Sequence, residues 1–174
     1  MPNGGSKSVV SAAFTRPANA TAYAANDVVS DSATTTTPMP FALGRTEIAG
    51  SFPRGEGLGG YIVGARLTTN QESAVPAFRV HLYSDLPAVA ADNAQFTRLY
   101  ADDSKKIGSF DLAAMTSVAD LAGASDSSVQ DFTLRIPFVG AAGSRTIYAV
   151  LETLTIFTPA SGQAFTLTLI AELD

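Results

Sequence analysis

From Gly60 onward, hydrophobic and polar residues alternate in four regular runs. Tyr61, Val63, Ala65 and Leu67 alternate with Ile62, Gly64, Arg66 and Thr68. Phe78, Val80 and Leu82 alternate with Arg79, His81 and Tyr83, and Pro76 stands just before the run. Phe132, Leu134 and Ile136 alternate with Thr133 and Arg135. Phe165, Leu167, Leu169, Ala171 and Leu173 alternate with Thr166, Thr168, Ile170 and Glu172. A period of two, with Thr or charge on one side, marks a strand buried on one face only.

The stretch from Arg145 to Phe157 breaks this rule, since Ile147, Ala149 and Leu151 lie on one face and Tyr148, Val150, Leu154 and Ile156 mostly on the other. It predicts a central strand covered on both sides, or a strand at a subunit contact. Thr158-Pro-Ala-Ser-Gly-Gln163 then predicts a turn. Leu112 to Leu121 has room for two or three helical turns and Ala88 to Phe96 for one, but neither carries a strong 3.6-residue period. Strands with little helix predict an all-β fold, an antiparallel β-sandwich of jelly-roll type.

Residues 1–56 differ. They are rich in Ala, Thr, Gly and Pro and show little periodicity. Thr34-Thr-Thr-Thr37 before Pro38-Met-Pro40 is β-prone, and Ser51 to Gly60 has loop chemistry. Two readings stand: an irregular surface segment with one or two short strands, or an extended N-terminal arm ordered by a partner's surface. The expected organisation is an arm over 1–56 and a sandwich domain over 57–174.

Composition narrows the function. At 174 residues the chain matches one domain with a proper core. Charged residues make up 16%, against about 25% in a typical soluble domain. The 11 Lys and Arg are scattered and the net charge is −5, so nucleic-acid binding is not expected. The absence of Cys excludes disulfides, thiolate zinc sites and Cys nucleophiles. No targeting segment is expected, because Val9 to Phe14 is too short for a signal-peptide core. No membrane span is expected either: Pro159 and Gly162 interrupt the uncharged run from Thr153 to Ala171.

The candidates for chemistry are few. His81, with Ser84 and Asp85, is the one imaginable triad, but His81 and Ser84 point to opposite faces of a strand. Asp102-Asp103 and the Asp126/Asp131 region are the carboxylate candidates, without the calcium-hand pattern. Asp102-Asp-Ser-Lys-Lys106 predicts a polar turn. Gly55-Glu-Gly-Leu-Gly-Gly60 lacks the Lys-Ser/Thr of a phosphate loop. Asn19-Ala-Thr21 matches a glycosylation sequon. Sugar binding on a β-sandwich would want exposed aromatics, and Tyr23, Tyr61, Tyr83, Tyr100 and Tyr148 are scattered in a chain without Trp. The expectation is a non-enzymatic protein with no cofactor, no metal and no catalytic residues.

Two segments carry a resemblance. Phe14-Thr-Arg-Pro-Ala-Asn-Ala-Thr-Ala-Tyr-Ala-Ala-Asn-Asp-Val-Val29 resembles the opening of a group of tailed-bacteriophage structural proteins, with an Arg-Pro, a Thr-x-Tyr and an Asp-Val-Val at similar spacing. Leu86-Pro-Ala-Val-Ala-Ala-Asp-Asn-Ala-Gln-Phe96, followed by Ile107-Gly-Ser-Phe110, resembles the middle of the same group. The resemblance implies a virion structural protein, best matched by capsid decoration (cement) proteins with jelly-roll-like folds. It implies a homo-oligomer, often a trimer, bound to the major capsid protein on the outer capsid surface. A tail or baseplate component and a carbohydrate-binding module for receptor attachment are the alternatives.

Overall fold

The computed structural model describes residues 6–44, 57–72, 76–118 and 126–174. Among the described residues, eleven strands form two antiparallel sheets: β1 Ser6–Thr15, β2 Val28–Val29, β3 Met39–Ala42, β4 Gly59–Thr69, β5 Phe78–Tyr83, β6 Lys106–Leu112, β7 Thr116–Val118, β8 Asp126–Asp131, β9 Ile136–Val139, β10 Thr146–Thr153 and β11 Ala164–Leu173. Sheet I has the order β1-β11-β4-β8-β7, and β9 also pairs with β4. Sheet II has the order β2-β10-β5-β6, and β3 also pairs with β10.

In each sheet one long strand carries two short ones end to end along a single edge. β8 pairs with β4 at Ala65–Thr69 and β9 pairs with it at Gly59–Ile62. β2 meets β10 at Leu151–Glu152 and β3 meets it at Thr146–Ala149. Counting each such pair as one interrupted strand, and setting aside the short edge strand β7, leaves eight strands in two sheets of four. That wrapping is a jelly roll, as the alternation predicts.

The inner faces supply the core. Phe78, Val80 and Leu82 of β5, Ile147, Ala149 and Leu151 of β10, and Phe165, Leu167, Leu169 and Ala171 of β11 are buried in one cluster. Phe165 stacks on Phe14 and meets Phe78 edge to face. Fully burying each large side chain contributes about 1.5–3 kcal/mol, so the period-two runs are where the fold gains its stability.

Four expectations change. Residues 6–44, expected within an irregular arm, belong to the sandwich: β1 pairs with β11 over its whole length, and Tyr23, Val28, Val29, Met39 and Phe41 are core residues. Small residues hid this, because the β1 inner face is Ser8, Val10, Ala12 and Phe14, a weak stripe at an edge. Residues 1–5 and 45–56 lie outside the described residues. The alternation expected through Tyr61 to Thr68 changes phase at a β-bulge: Ile170 faces Gly64 and Ala171 faces Ile62, leaving Val63 unpaired with β11. Ile62, Ala65 and Leu67 therefore share the core.

The expected strand at Phe132–Ile136 is mostly the break between β8 and β9. The Asp131 carboxylate accepts from both the backbone N–H and the hydroxyl of Thr133, each at 2.7 Å, a local turn that outcompetes the ladder. Neither proposed helix forms within the described residues. Leu112 ends β6, Thr116–Val118 is β7, and residues 88–96 are irregular. The polar turn at Asp102 is a 3-10 helix, Tyr100–Lys105.

Candidate functional site

The two sheets present unlike outer faces. Over sheet II, residues 84–99 form a covering layer bonded to residues 16–37, which carry the edge strand β2. Val89, Ala90 and Phe96 pack on Tyr83, Val150, Tyr148 and Val28, a second small core. β10 is thus apolar on both faces because its own chain covers both. The two segments are laced by backbone bonds: Val28 N–H to Ala94 O at 2.9 Å, Asn93 N–H to Val28 O at 2.9 Å, and Phe96 N–H to Asn26 O at 2.7 Å. Asn26 and Asn93 hold positive φ angles of 70° and 60°. Asn tolerates that conformation better than most residues.

A buried polar knot fixes this layer. The Arg16 guanidinium donates to Asp92 Oδ2 at 3.0 Å and, through Nε, to the Tyr23 hydroxyl. The Tyr23 hydroxyl donates to Asp92 Oδ1 at 2.5 Å, which also accepts the Ser30 N–H at 2.9 Å. The Arg16 and Asp92 side chains are 0% and 1% exposed. Tyr23 stacks on Phe157, with ring centroids 4.8 Å apart. Burial, reinforced by Asp92, pushes the Tyr23 phenol far above its ordinary value, so it remains a donor. Arg16 and Tyr23 come from one of the segments singled out in the sequence and Asp92 from the other. The structure makes them partners.

Along the outer face of sheet II runs a charged row, buried at Glu152 and open to solvent at Arg79 and Asp111. Glu152, Arg79 and Asp111 stand opposite one another on β10, β5 and β6. Arg79 grips Asp111 with two bonds, at 2.6 and 2.9 Å. That contact holds the Asp111 carboxyl below the usual carboxylate range. His81 lies in the next row, and its Nε2 is 2.6 Å from Glu152 Oε2. Because the carboxylate only accepts, Nε2 carries the proton and donates. The ring lies flat against Phe96 at 4.0 Å. His81 and Glu152 are buried, and His81 Nδ1 has no hydrogen-bond partner. Burial lowers the His81 pKa from its usual 6.5, and Glu152 offsets this only in part.

The other candidate residues do not converge on a reaction centre. Ser84 donates to Lys105 O and Asp85 accepts its neighbour Leu86 N–H, so neither meets His81. Asp102 is buried, accepting the Ala88 N–H at 3.0 Å and the Lys105 ammonium at 2.9 Å. Lys105 holds the Asp102 carboxyl below its ordinary value. Asp103 pairs with Arg98 instead. Asp131 caps Thr133, and the Asp126 side chain lies outside the described residues. No group of three metal-ligating side chains gathers among the described residues. Asn19 turns its own loop, accepting from Thr21 N–H. Gly57 packs its backbone against Gly140 and Ala141 carbonyls, a close approach rather than a phosphate cradle. Of the tyrosines, Tyr23 and Tyr83 are buried, Arg135 sits over Tyr61, and Tyr100 is 93% exposed on its own.

The outer face of sheet I is bare among the described residues. Thr166 and Thr168 of β11, Ser11 of β1, Thr68 of β4 and Ser128 of β8 make it a flat hydroxyl surface. An apolar row crosses it: Val9, 65% exposed, beside Ile170, and Phe132, 55% exposed, leaning over Gly64. Lys7 and Glu172 neutralise each other at one margin. Sheet I is five strand positions wide, with strands up to 11 residues long. At about 4.8 Å between strands and 3.3 Å per residue, its area is on the order of 800 Å².

No protein-family model matches the chain. No curated protein sequence matches it either. Among solved structures, the chain resembles a protein of the Israeli acute paralysis virus particle at 12% identity and a TM-score of 0.33, covering 97% of this chain and 68% of that one. It resembles a chain of the Helicobacter pylori bacteriophage KHP30 capsid at 10% identity and a TM-score of 0.30, covering 97% and 92%. A black queen cell virus chain matches at 14% identity and a TM-score of 0.31, covering 97% and 69%. These neighbours come from virus particles, but likenesses this distant carry no argument about what this chain does.

Proposed function

We propose that this protein is a non-enzymatic virion structural protein that decorates and stabilises a capsid. One observation carries the reading. The two segments that resemble tailed-phage structural proteins lie some 70 residues apart, yet their distinctive residues Arg16, Tyr23 and Asp92 join in one buried knot. Residues shared for a common fold are expected to behave in this way.

The bare face of sheet I suits the role. Its area, on the order of 800 Å², matches one partner's share of a standard interface. It has an apolar row within hydroxyl-rich surroundings, the usual arrangement of a contact patch, and the exposed Arg66 of β4 stands among them. The proposed partner is the major capsid protein lattice, engaged from the outer surface by a homo-oligomer, a trimer being the leading state. Many modest contacts on a repeating lattice gain from multivalency, and selective binding to the assembled form stabilises it by linkage.

The test is co-sedimentation of the purified protein with mature capsids, with its mass in solution measured by light scattering. Saturable binding by an oligomer is expected, and Val9→Glu should abolish binding without unfolding the protein. A monomer that ignores capsids and follows tails would overturn the proposal in favour of a tail or baseplate role. A melting temperature raised by a glycan would favour the carbohydrate-binding reading.

A further inference from the structure

We infer that the His81–Glu152 pair and Phe96 form a proton-operated latch, which releases one end of the covering segment 84–99 from sheet II in mild acid. The inference does not depend on the capsid reading.

Two of the contacts that fasten the cover differ in chemistry. At Asp92 it is held by the buried knot with Arg16, Tyr23 and the Ser30 N–H. The residues of that knot are an arginine, a phenol held protonated by burial, and a carboxylate that accepts three bonds. At Phe96 the fastening is the flat stack on His81, the Phe96 N–H to Asn26 O bond and the bridge between Gln95 and Asp27. Only this end rests on a group that titrates near neutrality.

In the closed form His81 is neutral. Its Nε2–H is used by Glu152, and its Nδ1 lone pair is buried with no partner. The only place for a second proton is Nδ1. A proton there makes an imidazolium whose N–H faces no acceptor, while Phe96 covers the face of the ring. A buried donor left unpaired is costly, and more so when charged. Moving Phe96 aside uncovers the ring and lets water solvate the imidazolium, a gain that must exceed the lost contact of the cation with the Phe96 face.

The other charged and titratable groups around the ring set the balance. Arg79 on β5 and Lys106 on β6 oppose the extra positive charge, while Glu152 on β10 favours it. Asp111 on β6 is held by Arg79, Tyr83 lies beside His81 on β5, and Asp27 in the adjoining segment accepts the Ala24 N–H. Once the latch opens, water screens Arg79 and Lys106, and Glu152 remains beside the imidazole. The open form therefore binds the proton more tightly than the closed form. By linkage, a single proton raises the open population by up to about tenfold per pH unit between the two forms' pKa values. The lower edge of that window, set by the closed form, lies below the ordinary value of 6.5.

His81 is the single histidine in the chain, so its ring resonance is unambiguous by NMR. The experiment titrates that resonance in the intact protein. In parallel it measures hydrogen exchange at the Phe96, Asn93 and Val80 amides, corrected for intrinsic rate. The expected result is a His81 pKa below 6.5 in the closed form, with Phe96 protection falling up to about tenfold per pH unit while Val80 stays protected. His81→Gln should remove the pH dependence at Phe96, and Phe96→Ala should open that end at every pH. A His81 that titrates at 6.5 or above would overturn the inference. So would an undiminished pH slope in His81→Gln, or loss of protection at Val80 in step with Phe96.

Discussion

Replacing Asp92 by alanine tests whether the buried knot holds the covering layer in place. The carboxylate accepts from Arg16 Nη2 at 3.0 Å, Tyr23 OH at 2.5 Å and Ser30 N–H at 2.9 Å. Its removal strands a guanidinium that is 0% exposed. Breaking a buried ion pair from one side costs about 3–5 kcal/mol, because the remaining charge is left in the interior without a counter-ion. For a domain of this size about 1 kcal/mol moves the melting temperature by 2–4 °C, so Asp92→Ala should melt roughly 6–20 °C lower. Tyr23→Phe removes one donor and keeps the ion pair, which should cost about 1–2 kcal/mol. The double variant Arg16→Met/Asp92→Leu removes both charges and should recover most of the loss. Scanning calorimetry on the four proteins decides the matter. A fall under 2 °C for Asp92→Ala, or a double variant less stable than the single one, would refute the reasoning.

Two glycines of β4 separate backbone from side-chain crowding. A Cβ on Gly60 would sit 2.1 Å from the Glu172 carbonyl oxygen, whereas on Gly64 its tightest contact would be the side-chain atom Phe132 Cδ1 at 2.8 Å, with the Asp131 carbonyl oxygen and Ile170 Cδ1 at 3.4 Å. Gly60→Ala should therefore cost about 2 kcal/mol or more and Gly64→Ala under about 1 kcal/mol, measured by urea unfolding. The Asp102 carboxyl is held below its ordinary value by Lys105, so its stabilising effect is present above pH 3.8 and is lost as pH falls through the folded-state value. Asp102→Asn should melt below the parent protein at pH 7, and the gap should close in strong acid; a gap that persists at pH 2 would exclude this carboxylate as the cause.

The sandwich was legible where strands bury large side chains on one face. Phe78-Val80-Leu82 and Phe165 to Leu173 form the strands that their alternation predicts. The sequence hid strands whose inner residues are small, so Ser8, Val10 and Ala12 gave no signal for β1. Phe132 and Leu134 gave a false one, because the Asp131 side chain redirects the backbone locally. The covering layer was least legible. A strand apolar on both faces says that something covers β10, and not whether the cover is the same chain or another. Arg16 and Asp92 look like ordinary surface charges until the fold brings them together across some 70 residues. His81 meets neither Ser84 nor Asp85, and its partner Glu152 lies on a different strand, so no local spacing announces it.

β11 lies between β1 and β4 and supplies both with a hydrogen-bonded neighbour. During synthesis, residues 6–15 and 59–69 therefore emerge from the ribosome long before residues 164–173 exist to join them. Until then each presents an open edge, the kind that pairs with stray strands. Such late, long-range closure also belongs to the slow end of folding. The vacant slot between β1 and β4 fits residues 164–173 of any copy as well as its own. Where many copies are made at once, that slot is where exchange of a strand between neighbouring chains would begin.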